Sequence, residues 1–225
     1  NYRYFYEANI LPANGATAVA KTPDFSWFST DGAVGYDFQL SETNDFSTTV
    51  EDQSGLTDTT FSVTDPLDIN TKYYWRFKTS AATEWSNVYS FTTETEITFA
   101  NLQFPSEVVI DSGETFQVYG QLTVPGVTSL SGENADISAW VAVNENNTDP
   151  STWDEVSWKT AAFFEDKTST DEYSASLGSE LEIKKYYFAF RYRYKDQDFV
   201  YGGVNGFWDA GTSPWGELDV LEIPQ

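Results

Sequence analysis

The sequence predicts an all-β protein made of two tandem β-sandwiches, and three observations lead to that prediction. Apolar and polar residues alternate along most of the 225-residue chain, as in strands that bury one face. Gly, Asn, Asp and Pro interrupt this alternation about every 8–12 residues, while helical periodicity is almost absent. One run of strands closes near residue 94 and another opens after residue 96. We therefore expect domains at residues 10–94 and 97–225, preceded by a short segment, residues 1–9.

The first half contains five clear strand signals, each with an aromatic or aliphatic face. They lie at residues 25–27, 36–40, 61–63, 73–77 and 89–91. In the strongest of them, Tyr73, Trp75 and Phe77 share one face, and polar or charged residues occupy the other. The alternation predicts that Trp27 and Trp75 belong to the core.

Several motifs of this half keep the spacing of a known family. They are Thr22-Pro23-Asp24-Phe25-Ser26-Trp27, Asp45-Phe46-Ser47-Thr48, Asn70-Thr71-Lys72-Tyr73-Tyr74-Trp75-Arg76 and Ser90-Phe91-Thr92-Thr93. Through them, residues 10–93 resemble a bacterial fibronectin type III domain. The resemblance implies a seven-strand sandwich that serves as a spacer or interaction module. It also implies a tyrosine corner, in which Leu67 and Tyr73 are paired and the Tyr73 hydroxyl bonds to nearby backbone.

The second half continues the alternation. Strands are expected at residues 108–110, 116–124, 137–143, 173–177, 186–194, 199–201 and 218–220. The most distinctive of them is residues 186–194, because its two faces differ in character. One face carries Tyr186, Phe188, Phe190, Tyr192 and Tyr194, and the other carries Tyr187, Ala189, Arg191 and Arg193.

A second resemblance rests on motifs of this half. They include Val118-Tyr119-Gly120-Gln121, Asp171-Glu172-Tyr173, Phe190-Arg191-Tyr192, Tyr201-Gly202-Gly203 and Gly216-Glu217-Leu218-Asp219-Val220. Residues 105–222 resemble the immunoglobulin-like accessory domain that accompanies catalytic domains in secreted bacterial amylases and nucleases. In that family the Arg-Tyr strand leads into a longer Gly-rich loop, whereas residues 195–198 here are Lys-Asp-Gln-Asp.

Composition narrows the possible functions. The sequence has no Cys, His or Met, which excludes thiolate nucleophiles, His-based triads and Cys/His zinc sites. The acidic residues number 35 against 12 Lys and Arg, giving a net charge of −23, which is unfavourable for nucleic acids and for anionic membranes. No apolar run approaches the ~20 residues of a membrane-spanning helix. We therefore expect neither an enzyme nor membrane insertion.

A calcium site is a weaker possibility, and no other cofactor is indicated. Asp196 and Asp198 lie in one predicted turn and could supply oxygen ligands. Polar turn residues without any metal role explain the same pattern.

Tryptophans outside the predicted core are candidate ligand contacts. Trp140 alternates with core residues and should point away from them, whereas Trp153, Trp208 and Trp215 lie in Gly-, Pro-, Ser- and Asp-rich segments that read as loops. With Arg191 and Arg193 beside them, these rings could bind a protein or stack on a glycan. The remaining alternative is that the loop tryptophans are lids that fold over the ends of the sandwich.

The N-terminal segment is the candidate for partner binding. Residues 1–6 alternate like a strand outside the fibronectin-like match, which favours pairing with a sheet edge through Tyr2, Tyr4, Phe5 and Tyr6. Together these features predict a non-catalytic extracellular or cell-surface bacterial protein. We expect a structural or adhesive subunit that self-assembles or binds other surface proteins. The alternative is a starch- or glucan-binding accessory protein of secreted glycoside hydrolases.

Overall fold

The computed structural model describes residues 10–222, which form two compact units that meet between Thr95 and Glu96. Almost all regular structure is β, so the predicted all-β fold of two sandwiches is confirmed. The predicted N-terminal pairing strand, residues 1–9, lies outside the described residues. Within residues 10–222, no helix is long and apolar enough to span a bilayer.

The first unit is a sandwich of one large and one small sheet. The large sheet has the order β1-β7-β6-β3-β4, and the small one pairs β2 with β5. Its strands are β1 (Ala16–Val19), β2 (Asp24–Ser26), β3 (Tyr36–Ser41), β4 (Glu51–Leu56), β5 (Thr60–Ser62), β6 (Lys72–Thr79) and β7 (Tyr89–Thr93).

Aromatic packing forms the core of this unit. Trp27 and Trp75 are 2% and 0% exposed, as the alternation predicted. The Trp27 ring stacks on Phe38 and Phe77 with centroid distances of 5.7 and 5.4 Å. The Tyr73 hydroxyl accepts a hydrogen bond of 3.2 Å from the Asp68 backbone N–H, so the tyrosine corner that the family resemblance implied is present.

The second unit is a larger sandwich. Its strands are β8 (Phe99–Phe104), β9 (Glu107–Asp111), β10 (Phe116–Thr123), β11 (Ile137–Asn144), β12 (Lys159–Asp166), β13 (Asp171–Leu177), β14 (Lys185–Tyr194), β15 (Val200–Gly203), β16 (Gly206–Phe207) and β17 (Gly216–Leu221). Two 3-10 turns, Pro150–Thr152 and Glu155–Ser157, lie between β11 and β12.

The sheet order is β16-β15-β14-β11-β12-β13-β10-β8, with β17 beside β14 and β9 beside β17. Residues 159–161 of β12 pair with β11, and residues 162–166 pair with β13, so the chain passes between the layers within one strand. Strand β14 is central, since β11 pairs along one edge while β17 and β15 share the other. The side chains of β14 therefore face the core on one side and solvent or covering loops on the other.

The inner face of β14 is fully buried, as its sequence predicted. Phe188, Phe190 and Tyr192 are all 0% exposed, and the Tyr192 hydroxyl donates a 2.8 Å hydrogen bond to the Asn101 carbonyl. Gly120 on β10 makes room for this layer, because a Cβ there would lie 2.7 Å from Cγ of Phe190 and would overlap the Tyr192 hydroxyl.

Candidate functional site

The outer face of the β11-β14-β15 sheet carries the most unusual surface of the described chain. Trp140 lies directly opposite Arg191 across β11 and β14, and Arg191 lies opposite Tyr201 across β14 and β15. Loop residues add further rings around this row. We call the whole set the outer aromatic surface, and it comprises Trp140, Trp153, Trp158, Tyr187, Arg191, Arg193, Phe199, Tyr201, Trp208 and Trp215.

One half of this surface is covered by the connection between β11 and β12. Its two 3-10 turns begin at Asp149 and Asp154, whose side chains accept hydrogen bonds from the backbone of Ser151 and Val156. These caps fix the flanking Trp153 and Trp158, which stack with a centroid distance of 5.8 Å. The Trp153 indole N–H donates to the Thr148 carbonyl at 3.1 Å, so the polar group of this buried ring is satisfied within its own loop.

Arg191 lies beneath this cover, where its two terminal nitrogens are paired and its buried Nε has no hydrogen-bond partner among the described residues. Its two terminal nitrogens bond to the two carboxylate oxygens of Glu155 at 2.7 and 2.8 Å. Its guanidinium carbon lies 5.1, 4.6 and 4.2 Å from the ring centroids of Trp140, Trp158 and Phe199. The Arg191 side chain is 5% exposed and that of Glu155 is 72% exposed, so water still solvates the carboxylate.

The electrostatics of this half follow from the ion pair and from burial. The hydrogen bond from Arg191 holds the pKa of Glu155 below its usual value. Burial raises the pKa of the Tyr201 hydroxyl, and this outweighs the opposing effect of Arg191. Glu155 is therefore ionised and Tyr201 neutral at neutral pH, which suits binding and stacking rather than proton transfer.

Arg193 contacts two of the same aromatic rings but has no acidic partner among the described residues. Its guanidinium carbon lies 5.1 Å from the Phe199 centroid and 5.8 Å from that of Trp140. Its Nε is buried and makes no hydrogen bond within residues 10–222. The same stretch offers no carboxylate within 4.0 Å of its guanidinium. The side chain is half-buried, so part of it reaches solvent.

The other half of the surface is less covered. Trp208 and Trp215 stack with a centroid distance of 6.0 Å, and Tyr187 meets Trp215 edge to face at 5.6 Å. All three side chains are half-buried, and the neighbouring Phe207 is 43% exposed. The indole N–H of Trp208 is buried and has no acceptor among the described residues.

A carboxylate orders the loop that carries Trp208 and Trp215. Asp209 accepts hydrogen bonds of 2.9 Å from the backbone N–H groups of Gly211 and Thr212 and one of 3.0 Å from the Thr212 hydroxyl. These bonds lower the pKa of Asp209, so it stays ionised at neutral pH.

The sequence-predicted candidates do not all reach the surface. Trp140, Trp208, Trp215 and Arg193 are half-buried and lie on the outer aromatic surface. For Trp153, which the sequence left open as a ligand contact or a lid, the structure agrees with the lid, because that side chain is 5% exposed. It acts as a lid, although over the face of the sheet rather than over the end of the sandwich. Arg191 is also buried, at 4% exposure, so Glu155 and not an external ligand occupies its terminal nitrogens.

Sequence reasoning missed Trp158 and Glu155. The acidic pair Asp154-Glu155 reads as solvated turn residues, yet Asp154 is a cap and Glu155 neutralises Arg191. The available signal was the outward-facing Arg191 on an otherwise apolar strand, because a buried guanidinium needs a carboxylate from elsewhere in the chain.

The calcium candidates lie apart from this surface. Asp196 and Asp198 are exposed residues of the connection between β14 and β15. Nowhere in residues 10–222 do three acidic side chains come together in a way that could hold a metal ion. The calcium site therefore stays a prediction from the sequence.

A smaller stack of the same kind is present in the first sandwich. The guanidinium carbon of Arg76 lies 3.9 Å from the Phe46 ring centroid and 4.5 Å from that of Trp85. Its Nε and one terminal nitrogen donate to the amide oxygen of Gln39 at 3.0 and 2.7 Å. An amide oxygen thus takes the place that a carboxylate has at Arg191.

Comparisons with known proteins give similarities of fold alone. No known family and no curated protein sequence matches the chain. Among solved structures, it is similar to the fibronectin(III)-like modules of Clostridium thermocellum CbhA, with 10% identity, a TM-score of 0.32, and 94% of this chain and 91% of that chain covered. It is also similar to domains 4 and 5 of the S-layer protein SbsC, with 9% identity, a TM-score of 0.33, and coverage of 94% and 95%.

A third similar structure is the FN1–FN3 fragment of chicken CNTN1. The identity is 14%, the TM-score is 0.37, and the alignment covers 91% of this chain and 64% of that one. The resemblance to fibronectin type III and immunoglobulin-like domains stands as a likeness of fold. No function is transferred from these structures.

Proposed function

We propose that this protein is a non-catalytic extracellular interaction module, used as a structural or adhesive subunit of a bacterial surface assembly. The observation that carries the proposal is the outer aromatic surface, where half-buried rings lie on the side of a sheet opposite its core. Trp, Tyr and Arg dominate the binding energy of protein contacts, and a cluster on one face of a rigid sheet presents them with little conformational cost.

Two further features support this reading. The sequence has neither His nor Cys, and the carboxylates of the surface are occupied, Glu155 by Arg191 and Asp209 by its own loop. The resemblance to fibronectin type III and secreted accessory domains agrees with an extracellular spacer or contact role. The aromatic residues Tyr2, Tyr4, Phe5 and Tyr6 are a second proposed contact, and that part of the proposal rests on sequence alone.

Self-association measured by sedimentation velocity tests the proposal. Replacing Tyr187 and Trp215 together by Ala should weaken association of the full chain by at least about tenfold, since hot-spot truncations cost ~2 kcal/mol or more. The matched control is Trp85→Ala, which removes a half-buried tryptophan from the first sandwich. Wild-type protein that stays monomeric at millimolar concentration, or equal effects of the two variants, would contradict the proposal.

A second candidate function is glucan binding. It is favoured by the stacked rings of Trp208 and Trp215. Each ring has an acidic residue close to it in sequence: Asp209 directly follows Trp208, and Glu217 comes two residues after Trp215. Retardation in gels containing soluble starch or other glucans distinguishes the two functions. Retardation of the wild-type protein that Trp208→Ala abolishes and Trp85→Ala preserves would replace the assembly proposal with the glucan one.

A further inference from the structure

The three described arginines all contact aromatic rings, but they differ in what their guanidinium groups bond to. Arg191 has the carboxylate of Glu155, and Arg76 has the amide oxygen of Gln39. Arg193 has rings only. The terminal nitrogens of the three arginines therefore have a charged acceptor, a neutral acceptor and, in Arg193, no acceptor within residues 10–222.

This lack is unusual in so acidic a chain. Carboxylates outnumber Lys and Arg by 35 to 12, and most of the described cations have one within 4.0 Å. The lysines paired in this way are Lys78, Lys159, Lys167, Lys184, Lys185 and Lys195. Within the part of the chain that the structure describes, Arg193 thus lacks a carboxylate partner, although carboxylates are the most abundant charged groups of the sequence.

A comparison of Arg193 with Arg191 shows which of its guanidinium nitrogens lack an acceptor among the described residues. It lies two residues after Arg191 on the same face of β14, and its guanidinium contacts the rings of Trp140 and Phe199 that also contact Arg191. In Arg191, the two terminal nitrogens grip a carboxylate end-on. Nε is buried in both arginines and unpaired within residues 10–222. They differ in the terminal nitrogens, which in Arg193 are not among the buried unpaired atoms and have no hydrogen-bond or ionic partner among the described residues.

We propose that Arg193, held by Trp140 and Phe199, is a binding site for an Asp or Glu side chain of a second copy of this chain. The inference rests on the proposed assembly function and names the chemistry of one contact within it. A neutral glucan would leave the guanidinium without a charged partner, whereas a second copy of this chain brings a sequence with 35 Asp and Glu against 12 Lys and Arg.

The surroundings of Arg193 favour such a contact. The two rings hold the guanidinium plane in place before binding, which reduces the entropy lost when a carboxylate docks end-on. Closing the aromatic surface around the pair removes water and strengthens the attraction. The general repulsion between two chains of charge −23 acts against this, and salt weakens it, because the screening length is about 10 Å at 0.1 M.

The test compares the self-association of Arg193→Gln and Arg193→Lys with wild type by sedimentation velocity at 0.05 and 0.5 M NaCl. We expect Arg193→Gln to weaken association about tenfold at 0.05 M and about two- to threefold at 0.5 M, because the lost contact is ionic. Arg193→Lys keeps the charge but not the planar fork, and it should lie between the two. The general repulsion is nearly the same in every variant, so the ratio to wild type isolates the contact.

The control is Arg76→Gln, which makes the same charge change in the first sandwich and should leave association unchanged. Equal association of Arg193→Gln and Arg76→Gln would overturn the inference, even where Tyr187 and Trp215 prove essential and the assembly function stands. A tenfold loss in Arg193→Gln that does not diminish at 0.5 M NaCl would also overturn it. A wild-type protein that stays monomeric would contradict the proposed assembly function, and the Arg193 contact that depends on it would then be excluded as well.

Discussion

On the inner face of β14, Phe188 and Phe190 are fully buried among other apolar side chains, whereas on its outer face Arg191 and Arg193 lie among rings that are partly open to water. Both faces are rich in aromatic contacts, but the rings come from different sources. The inner rings belong to the strand itself, whereas all of the outer ones except Tyr187 come from β11, β15 and the loops between strands. Aromatic content alone therefore does not identify a core.

The two sandwiches show the same contrast on a smaller scale. Both stack an arginine between outer rings, but Arg191 is paired with a carboxylate and covered, whereas Arg76 is half-buried and bonds to an amide. A guanidinium can be buried as deeply as Arg191 only when its charge is neutralised locally, because an unpaired buried charge is costly. The depth of each stack thus follows from its acceptor.

The largest expected effect separates the two faces of β14. Phe190→Ala should lower the unfolding free energy of the second sandwich by about 3–5 kcal/mol, because it removes a fully buried ring and leaves a cavity. Tyr187→Ala, three residues earlier on the outer face, should cost about 1 kcal/mol or less. Hydrogen exchange with mass spectrometry, which reports each sandwich separately, measures both. Similar losses of unfolding free energy in the two variants would mean that the outer face contributes as much to stability as the inner face does.

The next effect compares the two arginine stacks. Arg191→Met should destabilise the second sandwich by about 2–3 kcal/mol, because it removes charge-assisted hydrogen bonds and changes buried packing. Arg76→Met should cost the first sandwich about 1 kcal/mol, because Arg76 is partly exposed and its acceptor is neutral. The same exchange experiment applies. An Arg76→Met loss equal to that of Arg191→Met would refute the link between acceptor and depth.

A smaller effect concerns an acid at the edge of the core. Asp171 on β13 is 1% exposed, both of its carboxylate oxygens lack a hydrogen-bond partner within residues 10–222, and Asp166 lies opposite it across the β12–β13 pair. Burial, followed by the charge of Asp166, raises the pKa of Asp171 to about 6. The native state therefore holds this proton more tightly than the unfolded chain does, and the stability gained from it is lost as pH rises through about 6.

Asp171→Asn removes that loss. The variant should be more stable than wild type by about 1–2 kcal/mol at pH 8, which is less than the full pKa shift of Asp171 would give, because water screens part of the effect. The gain should vanish near pH 4, where the carboxyl group is protonated in the native state. Asp209→Asn is the control of opposite sign, because hydrogen bonds lower the pKa of Asp209 and its contribution is present at neutral pH and lost in acid. Thermal unfolding from about pH 2 to pH 8 measures both variants, because the contribution of Asp209 is lost only below the ordinary pKa of Asp, about 4. A gain for Asp171→Asn that is independent of pH would rule out this explanation.

How much of this was predictable depends on the range of the contacts involved. The inner face of β14 follows from alternation within ten residues, and the tyrosine corner of Tyr73 follows from a motif of similar length. The role of Glu155 was missed because its partner lies far along the chain: Arg191 is 36 residues from Glu155. Strand β12 escaped detection because its sequence does not alternate: it changes pairing partner after Ala161, and its register shifts between Phe163 and Glu165.

The parallel pairing of early and late strands has a mechanical consequence. In the first sandwich β1 runs parallel to β7, and in the second β9 runs parallel to β17 over five residue pairs. When tension is applied to the leading end of one such strand and the trailing end of its partner, the two slide along each other. All hydrogen bonds between them then carry the load together, and they do not open one after another as in a peeled hairpin. Each sandwich is built to resist being stretched along its chain.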